Sequence, residues 1–329
     1  MSLPSDLRAR LRLPAMAAPM FLCSGVDLAV AACKGGIIGS LTRNHCRSDE
    51  EFSAQIVAVS DALKAGRDTD PDAIIGPLAV NISVGMDKAQ RTAALETCRR
   101  HNVDIVVTAG GDPAPVAAAV HDWGGRIFHD VTTERFAAKA IMAGVDGIIA
   151  IGAGGGGHSG TISHLVLVPA IRAAFDGVIV LAGAVATGRA IRAAEILGAD
   201  LAYLGTRFIA TKESMAPDEY KALLVSQKAT DLLYTNAING LPAMWMKESM
   251  RRVGLDPVDL PVAQGHNSNH LPEHVKPWKN LWSAGQGIEL IDDIPSTHEV
   301  IERLAEEYAG ACAIPPHTAA GAWSERIAS

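Results

Sequence analysis

The chain has 329 residues and carries 29 Lys and Arg against 36 Asp and Glu, a formal net charge of −7. Hydrophobic residues make up 48% and charged residues 20%, which supplies a large core and excludes disorder or a coiled coil. The acidic balance argues against general nucleic-acid binding, and no run reaches the ~18 apolar residues that a bilayer-spanning helix needs.

From Pro14 to Phe208, short apolar runs alternate with Ala-rich amphipathic segments. AMAAPM (15–20) and IIGSL (37–41) are the first two predicted strands, followed by a helix over Asp49–Ala65. PLAVNI (77–82) precedes a helix over Lys88–His101, and DIVVTA (104–109) and RIFHD (126–130) precede one over Thr133–Ala143. DGIIAIG (146–152) and GVIVLAG (177–183) come next, then a helix over Thr187–Leu197 and a last strand, DLAYLG (200–205). Runs this short, rich in Ile and Val and without polar alternation, suit parallel strands buried on both faces. Eight of them alternating with helices predict an α/β fold, a (β/α)8 TIM barrel, with a doubly wound sheet as the alternative.

A weak repeat marks the units. His101-Asn-Val-Asp, Ala143-Gly-Val-Asp and Leu197-Gly-Ala-Asp each precede a strand. Asn or Gly suits the left-handed position that ends a helix, which assigns Asp104, Asp146 and Asp200 to the barrel end remote from chemistry. Beyond Phe208 the pattern becomes irregular, with the polar stretch GHNSNHLPEH (265–274) and a final helix over Ser296–Glu307. The expected division is a barrel over 14–211 and a C-terminal helical cap, with a return to the barrel, over 212–310. The tail AIPPHTAAGAWSERIAS reads as loosely held.

Five widely spaced cysteines (Cys23, Cys33, Cys46, Cys98 and Cys312) with no Cys-x-x-Cys point to a reduced chain, with no disulfide framework and no metal site. The basic N-terminus has no apolar segment of signal-peptide length, so a cytoplasmic protein is expected. His266, His270 and His274 are spaced four apart, but the intervening Pro and Asn argue for a solvated loop over a helical metal face.

The most informative segment is IGAGGGGHSG (151–160), directly after the sixth predicted strand. Gly154 to Gly157 let a flat ligand approach the main chain, and His158 adds an ionisable group at a strand's C-terminal end. The plainer reading is a flexible turn with a solvated histidine. In LAGAVATGRA (181–190), strand seven ends at Ala182-Gly183-Ala184; in YLGTRF (203–208), strand eight runs into Gly205-Thr206. Turns after strands seven and eight are the usual phosphate site of (β/α)8 enzymes. Arg207 could counter a phosphate or pair with a carboxylate. Trp245, Trp278 and Trp282 could line the mouth, although core packing is the plainer assignment. His45 and Cys46 could face the mouth, and Thr108 to Asp112 reads as pocket wall. Neither a P-loop nor a dinucleotide fingerprint is present.

Taken together and in order, these segments resemble the flavin-dependent nitronate monooxygenases. The resemblance covers about 14–216 and 282–293. It rests on Pro19-Met20, Val80-Asn81, Gly156-Gly157-His158-Ser159-Gly160, Ala182-Gly183, Gly205-Thr206-Arg207-Phe208 and Glu213-Ser214-x-Ala216. It implies an FMN site whose phosphate lies near Gly183-Ala184 and Leu204-Gly205-Thr206. Pro19 and Met20 would then lie by the ring, Asn81 and Asp130 near its polar edge, Gly156 beneath it, and Gln286 would approach from the C-terminal return. His158 inherits the role of base or hydrogen-bond partner to the substrate. Four positions depart from the family pattern: Ile151 where many members have Gln, Gly154 where many have an acidic residue, Asp130 where some have Lys, and Ala184 where a second Gly is common. A methyl at Ala184 is tolerable only at negative φ.

The implied function is FMN-dependent oxidation of alkyl nitronates or nitroalkanes with O₂, and the expected partners are a small-molecule substrate and copies of the chain itself, with no nucleic acid or membrane. The alternative is an NAD(P)H-dependent flavin reductase acting on quinones or activated C=C bonds of the enoyl-thioester kind. A third reading, of a different class, is a non-catalytic flavin- or phosphometabolite-binding protein.

Overall fold

The computed structural model describes residues 3–315, so most of the expected loose tail lies outside the described residues. Its centre is a sheet of eight parallel strands: β1 (Ala15–Ala17), β2 (Gly39–Thr42), β3 (Leu78–Asn81), β4 (Ile105–Thr108), β5 (Arg126–Val131), β6 (Gly147–Ile151), β7 (Val178–Ala182) and β8 (Leu201–Leu204). Each falls within or overlaps an apolar run identified in the sequence. β8 pairs with β1 in the register Ala15↔Ala202. A parallel bridge, Met16↔Ile38, joins β1 to the segment entering β2, with Ala17 N donating to Ile38 O at 2.8 Å. The sheet therefore closes on itself, and the doubly wound alternative is ruled out.

Strand side chains alternate between two layers. Met16, Ile38, Ala79, Ile105, Val107, Phe128, Ile149, Val180 and Leu201 fill the barrel interior. Leu41, Val80, Val106, Ile127, Ile148, Ile179 and Leu204 face the helices. The floor of the barrel was not foreseen. A one-turn helix, Ser5–Arg8, buries Leu7 completely against the interior cluster.

The helices follow their caps. Ser48, Thr133 and Thr187 each accept a backbone N–H three residues on and open the helices Asp49–Thr69, Glu134–Met142 and Gly188–Ile196. The first runs past the expected stop at Ala65 because it accommodates Gly66 and ends only before Asp70-Pro71, where proline disfavours the helical conformation. The repeat holds: Asn102, Gly144 and Gly198 take φ of 49°, 79° and 102°. The Asp that follows each is structural. Asp104 pairs with Arg10 at 2.8 Å, Asp146 accepts from Ile127 N at 2.9 Å, and Asp200 accepts from Ile179 N at 2.9 Å.

The region after β8 is not wholly helical, which corrects the expected helical cap. It contains helices Asp218–Ser226 and Lys247–Arg252, but between them lies a β-hairpin, Leu232–Thr235 with Ala243–Met246. The last helix, Thr297–Cys312, extends beyond the expected end at Glu307 and packs against the barrel helices Gly188–Ile196 and Val26–Lys34. It thus occupies the place of the eighth barrel helix. Glu213 fixes its start by accepting from Thr297 N at 2.8 Å and Thr297 Oγ1 at 2.7 Å. Among the described residues, no helix is long and apolar enough to cross a membrane.

Candidate active site

The C-terminal ends of the strands open into a cavity of about 1430 Å³. Pro19, Met20, Asn81, Asp130, Gly156, His158, Gly183, Ala184, Gly205 and Thr206 all line it, as do Ala109 to Asp112. Leu204 and Gln286 do not. Leu204 is off register: Leu201 faces the barrel interior and Tyr203 borders that cluster, so Leu204 turns into the helix layer, where it is fully buried. Gln286 is exposed. Its N donates to Gly154 O at 2.8 Å, and its neighbours Gly285 and Gly287 take the lining positions.

The same alternation explains Asp130. Phe128 points into the barrel, so two residues on the Asp130 side chain turns inward at the mouth. One edge of it borders the cavity, but Oδ1 is buried without a hydrogen-bond partner. Burial raises its pKa from the ordinary 3.8 to about 7. Next to it, His129 shares a 2.8 Å hydrogen bond with Thr108 Oγ1, and burial lowers its pKa to about 4, which keeps the ring neutral. Asn81 donates through Nδ2 to Val107 O at 3.3 Å and is held in the cavity wall.

Two turns form the opposite wall. Gly183 and Ala184 follow β7 with φ of 116° and 57°. Ala184 therefore occupies the left-handed region and not the negative φ that its methyl was expected to require, at a cost of about 1–2 kcal/mol. Gly205 and Thr206 follow β8 at the start of a helical turn, Thr206–Ile209. Arg207 faces away. It is buried, its Nη1 pairs with Asp293 Oδ1 at 3.5 Å and its Nη2 donates to the backbone Ala210 O and Asp293 O at 2.9 and 3.0 Å, so the carboxylate partner is the one observed. Lys139 is the only Lys or Arg among the lining residues, so an anion at these turns would rest on backbone N–H groups.

The glycine run serves the chain itself as well as the cavity. A Cβ on Gly156 would lie 2.6 Å from Gly285 N and 2.8 Å from the Ala284 carbonyl carbon. Only glycine lets the loop pass beneath the returning segment. Gly157–His158 then adds a short third strand to the cap hairpin, with His158 opposite Ala243. His158 Nε2 lies 2.9 Å from Asn239 Nδ2, and its ring meets Trp278 edge to face at 5.3 Å. The ring is exposed on the cavity wall, and partial desolvation by its surroundings lowers its pKa.

Trp278 lines the cavity, whereas Trp245 and Trp282 are core residues, so the three tryptophans divide between the two readings. Trp278 holds φ at 61°, an outlier for a bulky residue. His45 bonds to Gln55 and, like Cys46, lies outside the lining. His270 and His274 bond through Nε2 to Ala237 O and Val253 O at 2.7 and 3.1 Å, tethering their loop. Asn239, Tyr220 and Tyr234 were missed. The Asn239-Gly240 turn signal was visible in the sequence, but nothing local linked it to a histidine 81 positions away.

Comparison with known proteins places this arrangement. A family model described as nitronate monooxygenase matches residues 8–307. The nitronate monooxygenase of Pseudomonas aeruginosa is 30% identical over 219 residues, covering 61% of this chain and 62% of that protein. A 5-hydroxy-7a-methyl-1-oxo-octahydro-1H-indene-4-carboxyl-CoA dehydrogenase of Mycobacterium tuberculosis is 26% identical over 70% of this chain and 61% of its own length. The chain spans 46–61% of the length of several curated relatives it matches. Among solved structures, a nitroalkane oxidase from Streptomyces ansochromogenes superposes with a TM-score of 0.76 at 25% identity, covering 94% of this chain and 98% of that one. FabK from Thermotoga maritima shares the fold, with a TM-score of 0.75 at 24% identity over 95% and 97% of the two chains.

Proposed function

This chain belongs to the nitronate monooxygenase family, and on that basis we propose that it binds FMN and oxidises alkyl nitronates with O₂. The observation that carries the reading is His158 on the wall of the same cavity as the two turns after β7 and β8. An imidazole and main-chain donors on one cavity are what this reading requires. The residues present suit the cofactor. The turns at Gly183-Ala184 and Gly205-Thr206 offer main-chain donors to a phosphate, and the unpartnered Asp130 Oδ1 suits the polar edge of a flavin pyrimidine.

FMN, when bound, would supply the acceptor for electrons leaving the nitronate and pass them to O₂. The chain's own residues position and exclude. Met20 and Gly205 form one side of the cavity, while the cap residues Tyr220, Tyr234 and Trp278 cover another. His158 faces the substrate, and its neutral ring accepts or donates a hydrogen bond there.

In the test, purified protein is loaded with FMN and offered ethyl nitronate. His158→Ala should lower turnover by about 10- to 100-fold, the worth of one hydrogen bond to a charged group, with FMN affinity nearly unchanged. Full activity in that variant overturns the assignment. A second reading, reduction of a bulky activated C=C compound by NAD(P)H, is supported by the similarity to a carboxyl-CoA dehydrogenase over 70% of this chain. Anaerobic bleaching of the flavin by NADPH or NADH would select it.

A further inference from the structure

We propose that Asn239 is a positioning residue that fixes the His158 tautomer, with the ring proton on Nδ1, so that His158 serves the substrate as a hydrogen-bond donor and not as a base. This inference rests on the nitronate reading above for its substrate and on geometry for its tautomer. Asn239 Oδ1 accepts from Leu241 N at 3.3 Å, which settles the amide orientation: the oxygen faces the backbone N–H, and Nδ2 faces the histidine. Nδ2 is a donor only, so at 2.9 Å it must meet a lone pair on His158 Nε2. A neutral imidazole has one bare and one protonated nitrogen, and the proton is therefore on Nδ1.

Two further contacts hold the exposed ring in this role. Its backbone is paired to Ala243 in the small sheet, and Trp278, held at φ 61°, stands edge-on to it at an interplanar angle of 85°. Strained backbone of this kind persists only where its surroundings enforce it. A base must offer a free lone pair to a C–H, and here the Nε2 lone pair is taken. An N–H donor instead suits an oxygen that is already anionic, as in a nitronate. The arrangement therefore favours the preformed nitronate over the neutral nitroalkane, whose α-proton would have to be removed first.

The experiment is ¹⁵N NMR of histidine-labelled, FMN-loaded protein at a pH where the ring is neutral. The His158 signals are assigned by their loss in His158→Gln. Wild type should show a protonated Nδ1 and a bare Nε2. In Asn239→Asp the carboxylate still accepts from Leu241 N but now demands a proton on Nε2, so the pattern should reverse. Turnover of nitroethane relative to ethyl nitronate should then rise by about tenfold or more, since a freed base is worth at least that. In Asn239→Leu the two tautomers should mix, and the KM for nitronate should rise with kcat largely kept. A protonated Nε2 in wild type, or an unchanged pattern in Asn239→Asp, overturns the proposal. The assigned tautomers without turnover of either nitro compound would uphold the positioning role and overturn the nitronate reading instead.

Discussion

Replacing Asp130 by Asn should remove a pH dependence of stability that this one carboxyl imposes. Asp130 sits at the inward position two residues beyond Phe128, its Oδ1 has no partner, and burial raises its pKa from 3.8 to about 7. The native state therefore keeps its proton where the unfolded chain has lost it. Below pH 3.8 both states are protonated and the carboxyl has no cost. As pH rises from there, the unfolded chain ionises first and stability falls, until the folded group ionises near pH 7. At 1.36 kcal/mol per pH unit the whole effect is about 4 kcal/mol, a ceiling because water in the cavity reaches one edge of the group. Between pH 5 and pH 8 the wild type should lose about 2–3 kcal/mol relative to Asp130→Asn, in which the isosteric amide cannot ionise. Urea unfolding of both proteins across that range is the assay. Parallel stability profiles would refute the reasoning, since they would mean that Asp130 is as well solvated folded as unfolded.

Gly188→Ala should destabilise by about 1–3 kcal/mol in the same unfolding assay, because the new Cβ would lie 2.1 Å from Leu304 O and 2.4 Å from Tyr308 N, forcing the last helix off the barrel. Ala184→Gly should change stability by less than about 1 kcal/mol, because relief of the left-handed φ of 57° is offset by the greater freedom of an unfolded glycine. A larger loss would show that the methyl packs usefully. FMN titration of that variant should show binding at least as tight as in wild type.

The barrel was legible because its strands are buried on both faces, which writes them as unbroken apolar runs such as DIVVTA and GVIVLAG. The turns after β7 and β8 were legible for a related reason, since small residues at a strand's end leave main chain uncovered. Register was the subtler signal. Counting in twos from Leu201 separates Tyr203, at the mouth, from Leu204, which faces the helices, although the sequence reading placed Leu204 in the site. The sign of φ at Ala184 was beyond reach, because it depends on the turn's path and not on residue type. The cap was the least legible part. LLYT and AMWM do not alternate cleanly, and the partner of their hairpin is a two-residue strand far upstream. A contact such as that between Asn239 and His158 exists only once the cap has folded down over the glycine loop.

The position of the last helix has a consequence for how this molecule can change. The chain leaves the barrel at Gly205 and rejoins it at Ser296, where the helix Thr297–Cys312 completes the outer ring. Most of what overhangs the cavity, from Tyr220 to Gly287, is thus one long excursion, moored at both ends and paired in its middle to Gly157–His158. The moorings are Glu213 on the start of the helix, Lys212 N donating to Pro295 O at 3.0 Å and Gly285 N donating to Thr206 Oγ1 at 2.9 Å, which tie the two ends of the excursion to each other at the ring. An excursion fastened in this way can exchange its contents while the ring stays shut. The residues that decide which molecule is turned over can therefore drift independently of those that keep the barrel closed.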